Sequence, residues 1–154
     1  MIHYCIGDAV YPNCTGNIII PHICNDIGGW GAGFVLAISK RWKLPEQKYY
    51  EWYKSNNNFR LGEVQFVKVE DNIIIANMIA QKDIIPKNGI PPIRYNYVKK
   101  CLIKVAVKAK ELNASIHMPR IGCGLAGGHW IEIEKIINDT LIKENINVWV
   151  YDLK

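Results

Sequence analysis

No apolar run in this 154-residue chain approaches the roughly 18–20 residues that a membrane span needs. Its first residues, Met1-Ile2-His3-Tyr4, show neither a basic n-region nor a long apolar h-region, so no secretory signal is expected. No Cys-x-x-Cys pair occurs. The five cysteines (Cys5, Cys14, Cys24, Cys101, Cys123) are odd in number and widely spaced. That argues against a disulfide framework or a zinc ribbon, implies no metal, and fits a reducing cytoplasm. Repeats, low-complexity tracts and linkers are absent as well, so residues 1–154 read as a single domain. A GxxxxGK[ST] run is missing, which excludes a P-loop. Charge is modest: 19 basic against 14 acidic residues leave a net +5. The densest basic stretch, Lys99, Lys100, Lys104, Lys108 and Lys110, is spread along one predicted helix. It reads as a solvated face rather than a nucleic-acid footprint, although a positive potential favours an anionic ligand.

What is present is an ordinary globular composition, 49% hydrophobic, which argues against disorder. Glycine is the informative residue. Of 12 in the chain, eight fall in two clusters: Gly28, Gly29, Gly31, Gly33, and Gly122, Gly124, Gly127, Gly128. Glycines scattered for turns do not bunch this way, so two loops look shaped around something.

Periodicity orders the rest. Residues 2–6 read as a short strand closed by Gly7-Asp8, and residues 17–24 as a strand buried on both faces. The first glycine cluster leads into a helix over 33–42, and Pro45 opens a second through about Ser55. Residues 64–69 and 73–78 read as a hairpin, residues 81–92 as a Pro/Gly loop, and residues 94–112 as the clearest helix. A strand over 115–118 runs into Pro119 and the second glycine cluster. A helix over 130–143 and a buried strand over 148–150 close the chain. Doubly apolar strands alternating with amphipathic helices imply a three-layer α/β/α domain, and the hairpin makes its central sheet mixed.

Both clusters lie between a buried strand and a helix. In such sheets the loops leaving the carboxyl ends of strands form the ligand crevice, and helix N-termini favour anions. Two loops of this kind suit the two phosphates of a diphosphate. Gly29-Trp30-Gly31-Ala32-Gly33 is GxGxG rather than GxGxxG and follows the second strand, so a Rossmann dinucleotide site fits poorly.

Three segments carry a resemblance that spans Tyr4 to Leu153. They are Ile6-Gly7-Asp8, His22-Ile-Cys-Asn25 with Gly29-Trp-Gly-Ala-Gly33, and Met118-Pro-Arg-Ile-Gly-Cys-Gly-Leu-Ala-Gly-Gly128. The chain resembles the macro domain family. It is most similar to the branch holding the yeast-type ADP-ribose 1''-phosphate phosphatase and the terminal ADP-ribose protein glycohydrolase. The resemblance implies a macro domain fold that binds ADP-ribose at the top of the sheet, without a cofactor. Asp8, beside Ala9, matches the aspartate that accepts from the adenine amino group; its other reading is a turn aspartate. Gly31, Ala32 and Gly33 match the loop near the distal ribose and diphosphate, and Gly122, Cys123, Gly124, Leu125 and Ala126 match the second diphosphate loop. Tyr151 matches a position that stacks on adenine, or is a strand-end core aromatic. Trp30 covers the distal ribose or packs its loop.

For chemistry, Asn25 matches the position that contacts the distal ribose diol. His22 is either an acid, base or nucleophile, or a hydrogen-bonded structural histidine at a strand end. Asp26 is a further acid/base candidate. Cys123 reads as a small loop residue and His129 as an exposed helix-start residue. The glycohydrolase's lysine and aspartate positions are occupied here by Gln81 and Ala126, while Lys82, one residue off, is expected to face away. The expected activity is hydrolysis of ADP-ribose 1''-phosphate or a related ADP-ribosyl ester by a monomer with no membrane partner. The alternatives are a non-catalytic ADP-ribose reader, and a glycohydrolase acting on ADP-ribosylated protein or nucleic acid.

Overall fold

β-Branched runs make the strands and amphipathic segments make the helices of the computed structural model, which describes residues 1–154. In chain order they are β1 (Ile2–Ile6), β2 (Ile18–Asn25), α1 (Phe34–Arg41), α2 (Leu44–Ser55), β3 (Val64–Glu70), β4 (Ile73–Gln81), α3 (Tyr95–Leu112), β5 (Ser115–Met118), α4 (Trp130–Thr140) and β6 (Val148–Asp152). The strands form one sheet in the order β1-β6-β5-β2-β4-β3. Only β3 runs antiparallel, paired with β4 through the hairpin, so the sheet is mixed.

Helical spacing decides which faces are covered. Val98, Leu102, Val105 and Ala109 of α3 join Ile133 and Ile137 of α4 against Ile116, Met118, Val148 and Val150. On the opposite face Val35 and Ile38 of α1 and Tyr49 of α2 pack on Ile18, Ile20 and Ile75. The three layers follow. Asn56 and Asn113 adopt the left-handed conformation at φ 50° and 51° and end α2 and α3. No helix is long and apolar enough to cross a membrane.

Element ends differ from the sequence expectation in three places. β4 continues to Gln81 and β6 to Asp152, so Tyr151 lies inside the last strand rather than after it. The helix expected over 130–143 stops at Thr140, and a 3-10 turn, Ile142–Glu144, carries the chain to Asn145, whose φ is 59°.

The pairing between β2 and β5 is short. It covers only Ile18↔Ser115 and Ile19↔Ile116, whereas β2 follows β4 to its end. Pro21 lies two residues past that pairing and has no N–H to donate to a ladder. The two parallel strands therefore part toward their carboxyl ends. β2 leads to α1 on one face, and β5 leads to α4 on the other. This is a topological switch point, where an open α/β sheet forms a crevice.

Candidate functional site

The parting of β2 and β5 opens a cleft with two connected lobes. The narrower, about 220 Å³, lies between the glycine loops and is lined by Gly33 and Phe34 on one side and by Arg120, Gly122 and Gly124 on the other. The wider, about 430 Å³, is more apolar and is lined by Asn25, Trp30, Gly31, Ile84 and Pro86. Ala32, Val35, Gln81 and Leu125 border both lobes.

The chemistry of the narrow lobe is that of the backbone. The N–H groups of Gly31, Ala32, Gly33, Phe34 and Val35 make no hydrogen bond within the chain, and neither do those of Gly124, Leu125 and Ala126. The first set belongs to the start of α1, whose N-cap Gly33 (φ 83°) offers no side-chain cap. Helix geometry leaves such donors orphaned, and the helix dipole adds partial positive charge. Two rows of donors thus flank one cleft.

The opening at Gly122 is conformational. Its φ is +74°, and an added Cβ would press on Ile93 Cδ1 and lie 3.0 Å from Ile23 Cδ1. Gly124 has no such constraint, since nothing lies within 4 Å of where its Cβ would be. Packing therefore does not account for glycine at 124, whereas close approach of a ligand to the backbone would.

The side chains put forward for catalysis are committed elsewhere. Asn77 Nδ2 donates to Pro45 O (3.3 Å) and Gln65 Oε1 (3.0 Å), so its Oδ1 faces His22. His22 therefore donates through Nε2 to Asn77 Oδ1 at 2.5 Å. Its ring is 2% exposed, edge-on to Trp30, and burial lowers its pKa to about 4. At neutral pH the imidazole is uncharged and its one proton is engaged. His22 borders the narrow lobe, and of its two readings this geometry favours the hydrogen-bonded structural histidine.

Asn25 spends its carbonyl on the loop that follows it. Oδ1 accepts from Ile27 N (3.1 Å), Gly29 N (2.9 Å) and Tyr49 Oη (3.0 Å), and Nδ2 donates to Gly29 O at 2.9 Å. It has one N–H left, so toward the distal ribose diol expected from sequence it can act as a donor. Asp26 is not a cleft side chain either. It accepts from Asp83 N at 2.7 Å and pairs with Lys82 at 3.4 Å, fastening the loop after β4. Lys82 faces this pair while Gln81 faces the cleft, in the arrangement expected from sequence.

For two aromatics the geometry favours the packing reading over ligand contact. Trp30 is 4% exposed and donates from Nε1 to Ser39 Oγ at 2.7 Å, so it packs its loop into the core while bordering the wide lobe. Tyr151 is buried, hydrogen-bonds His117 Nδ1 at 2.7 Å, lies close to Gly7 and lines neither lobe. Its burial raises its pKa to about 12.

Asp8 Oδ1 accepts from Val10 N at 3.0 Å, which leaves Oδ2 free; the neighbouring Ala9 is buried. Gly7 N donates to Asp152 O, and Asp152 pairs with Arg120, which lines the narrow lobe; Asp8 and Ala9 themselves line neither lobe. Cys123 donates to Ile121 O at 3.5 Å, and burial raises its pKa, so it is no thiolate. Sequence reasoning passed over Asn77, Tyr49 and Arg120. Asn77 did leave a signal, a lone amide inside the apolar run Ile73-Ile-Ile-Ala-Asn-Met-Ile-Ala80.

No family model matches the chain. A solved structure of a protein of unknown function from Bacteroides thetaiotaomicron is 56% identical, covers 99% of this chain and 98% of its own, and superposes with a TM-score of 0.98. A macrodomain protein from Streptomyces coelicolor is 47% identical over 99% of both chains, with a TM-score of 0.88. Among curated proteins, the ADP-ribose 1''-phosphate phosphatase of Lodderomyces elongisporus is 27% identical over 143 residues, 88% of each chain. The mouse chromodomain-helicase-DNA-binding protein 1-like is 27% identical over 159 residues. That match takes in 97% of this chain, which spans only 17% of the helicase's length.

Proposed function

The chain belongs to the macrodomain family, and from that premise we propose that it binds ADP-ribose in the cleft between β2 and β5 and hydrolyses a bond at the distal C1''. The observation that carries the reading is the pair of facing rows of unpartnered backbone amides, Gly31–Val35 and Gly124–Ala126. A diphosphate is the part of ADP-ribose that two such rows suit, because neutral N–H dipoles hold its charge at short range without lysines. The Asp8 turn then lies toward the adenine, with Oδ2 free to accept from an amino group. The wide lobe lies toward the distal ribose, where Asn25 offers one N–H.

Hydrolysis is supported by the resemblance to a phosphatase of ADP-ribose 1''-phosphate over most of both chains. In that reaction water attacks phosphorus, the bond between phosphorus and the O1'' oxygen breaks, the oxygen on C1'' takes up a proton, and ADP-ribose and inorganic phosphate leave. This chain's contribution is orientation, through amides that fix the diphosphate and a wide lobe that encloses the distal end. An ADP-ribosyl ester is the second substrate class, carried free or on a macromolecule.

A second reading, a reader that binds without turnover, is favoured by one observation: His22 and Asp26 are both engaged in holding the fold. Calorimetry with ADP-ribose, together with phosphate release from ADP-ribose 1''-phosphate and mass spectrometry of ADP-ribosylated acceptors, separates the readings. Binding with turnover of any of these supports the hydrolase. Binding with none makes the domain a reader. Absence of binding overturns both.

A further inference from the structure

Of all the lysines and arginines in the chain, only Arg120 lines either lobe of the cleft. Its position is unusually well fixed for a surface cation. Nε and Nη2 fork onto the Asp152 carboxylate at 2.7 and 3.0 Å. The guanidinium carbon also lies 5.2 Å from the Tyr4 ring centre and 5.1 Å from that of Trp130, within cation–π range of both. Those rings are themselves tied, since Trp130 Nε1 donates to Tyr4 Oη at 3.0 Å and Tyr4 Oη is bonded to Glu134. The side chain is thus gripped by β1, β6 and the start of α4. Nη1 makes no hydrogen bond within the chain.

A surface ion pair alone would account for a bond between Arg120 and Asp152. It would not account for a guanidinium that also lies within cation–π range of Tyr4 and Trp130, lines the narrow lobe with Gly122 and Gly124, and keeps Nη1 without a partner in the chain. A planar fork held from one side presents its remaining donors in a set direction, which suits an oxygen anion. Asp152 neutralises part of the charge, and it also prevents the side chain from swinging into solvent.

We propose that Arg120 is a ligand-touching residue that supplies the cleft's one formal positive charge to the phosphate nearest the adenosine, with Asp152 as its positioning residue. This assignment rests on the ADP-ribose reading and adds to it a residue and a consequence. Binding gains a salt-dependent component that backbone amides alone would not give. It also distinguishes phosphate-bearing ligands from adenosine.

The test is titration of wild type, Arg120→Gln and Arg120→Lys with ADP-ribose, AMP and adenosine at low and high salt, with thermal melts to confirm folding. The expected result is about a tenfold loss of ADP-ribose and AMP affinity in Arg120→Gln, the scale of one charge-assisted hydrogen bond. The loss should shrink at high salt, and adenosine should be unaffected. Arg120→Lys should keep the salt dependence while losing part of the affinity. Equal weakening of adenosine and ADP-ribose by Arg120→Gln would reduce Arg120 to a structural latch and overturn the proposal, as would undiminished ADP-ribose affinity. A wild-type protein that binds no ADP-ribose fails at an earlier step, overturning the functional reading and this assignment with it.

Discussion

His22 and Asn77 form a buried pair in which the amide decides the state of the ring. Because Asn77 Nδ2 is spent on Pro45 and Gln65, its oxygen must accept, and His22 must carry its proton on Nε2. Replacing His22 with alanine leaves that oxygen buried without a donor and removes the ring packed on Trp30 and Phe34. The expected cost is about 2–4 kcal/mol of stability, read from urea unfolding. Folded His22→Ala protein should keep the turnover of wild type per bound substrate. Loss of turnover at unchanged ADP-ribose affinity would return His22 to the chemistry.

A second histidine shares this condition. His117 is fully buried between Ser115 Oγ (2.9 Å) and Tyr151 Oη (2.7 Å), and burial lowers its pKa, like that of His22, to about 4. The unfolded chain takes up protons near the ordinary histidine value of about 6.5. Between those two values the unfolded state binds more protons than the native one, so stability rises with pH. The stability is fully present above about pH 6.5 and is lost as pH falls toward 4, by up to about 3 kcal/mol for each histidine. Urea midpoints measured across this window should fall steadily, and His117→Gln should flatten the fall by about half. A wild-type midpoint independent of pH would contradict the neutral, buried assignment of both rings.

These pairs show what a sequence can and cannot carry. The strands, the hairpin and the long α3 were legible because their apolar residues recur at the sheet or helix period, and the glycine loops because glycine bunches at two equivalent strand-to-helix turns. Partner choice was not legible. Nothing in the run His22-Ile-Cys-Asn25 says that His22 will meet Asn77, 55 positions away, or that Asn25 will close on Gly29. The choice between the two readings of Tyr151 was not legible for a related reason. Its alternation with Trp149 puts it on one face of β6, but only the three-dimensional arrangement shows that Gly7 and His117 lie close to it. The separation of β2 from β5, which makes the cleft, turns on a pairing that ends at Ile19, and register is a property of two strands together.

Asn25 is expected to act on binding through the loop it organises. Asn25→Ala removes two acceptor contacts and one donor contact from the Ile27–Gly29 turn, while Tyr49 Oη keeps its 2.7 Å bond to the Asn25 backbone carbonyl. A loss of about 2–3 kcal/mol is expected, together with weaker ADP-ribose binding as the Gly31–Val35 amides lose their fixed direction. Hydrogen exchange would locate the change. Faster exchange confined to the Ile27 and Gly29 amides, with β2 still protected, matches this account. Unchanged exchange there with weakened binding would make Asn25 a direct contact only.

The two glycines of the second loop should separate fold from function. Gly122→Ala places a Cβ at φ +74° against Ile93 and Ile23, a strained and crowded site, and should cost about 1–3 kcal/mol of stability. Gly124→Ala meets open space at an ordinary backbone angle, so its unfolding midpoint should stay within about 0.5 kcal/mol of wild type. If a diphosphate approaches the Gly124–Ala126 amides, the added methyl lies in its path. ADP-ribose affinity should then fall by about 1–3 kcal/mol while stability is untouched. Adenosine, which does not reach the loop, should bind as before. Full ADP-ribose affinity in Gly124→Ala would place the diphosphate elsewhere and leave the second row of amides without a ligand.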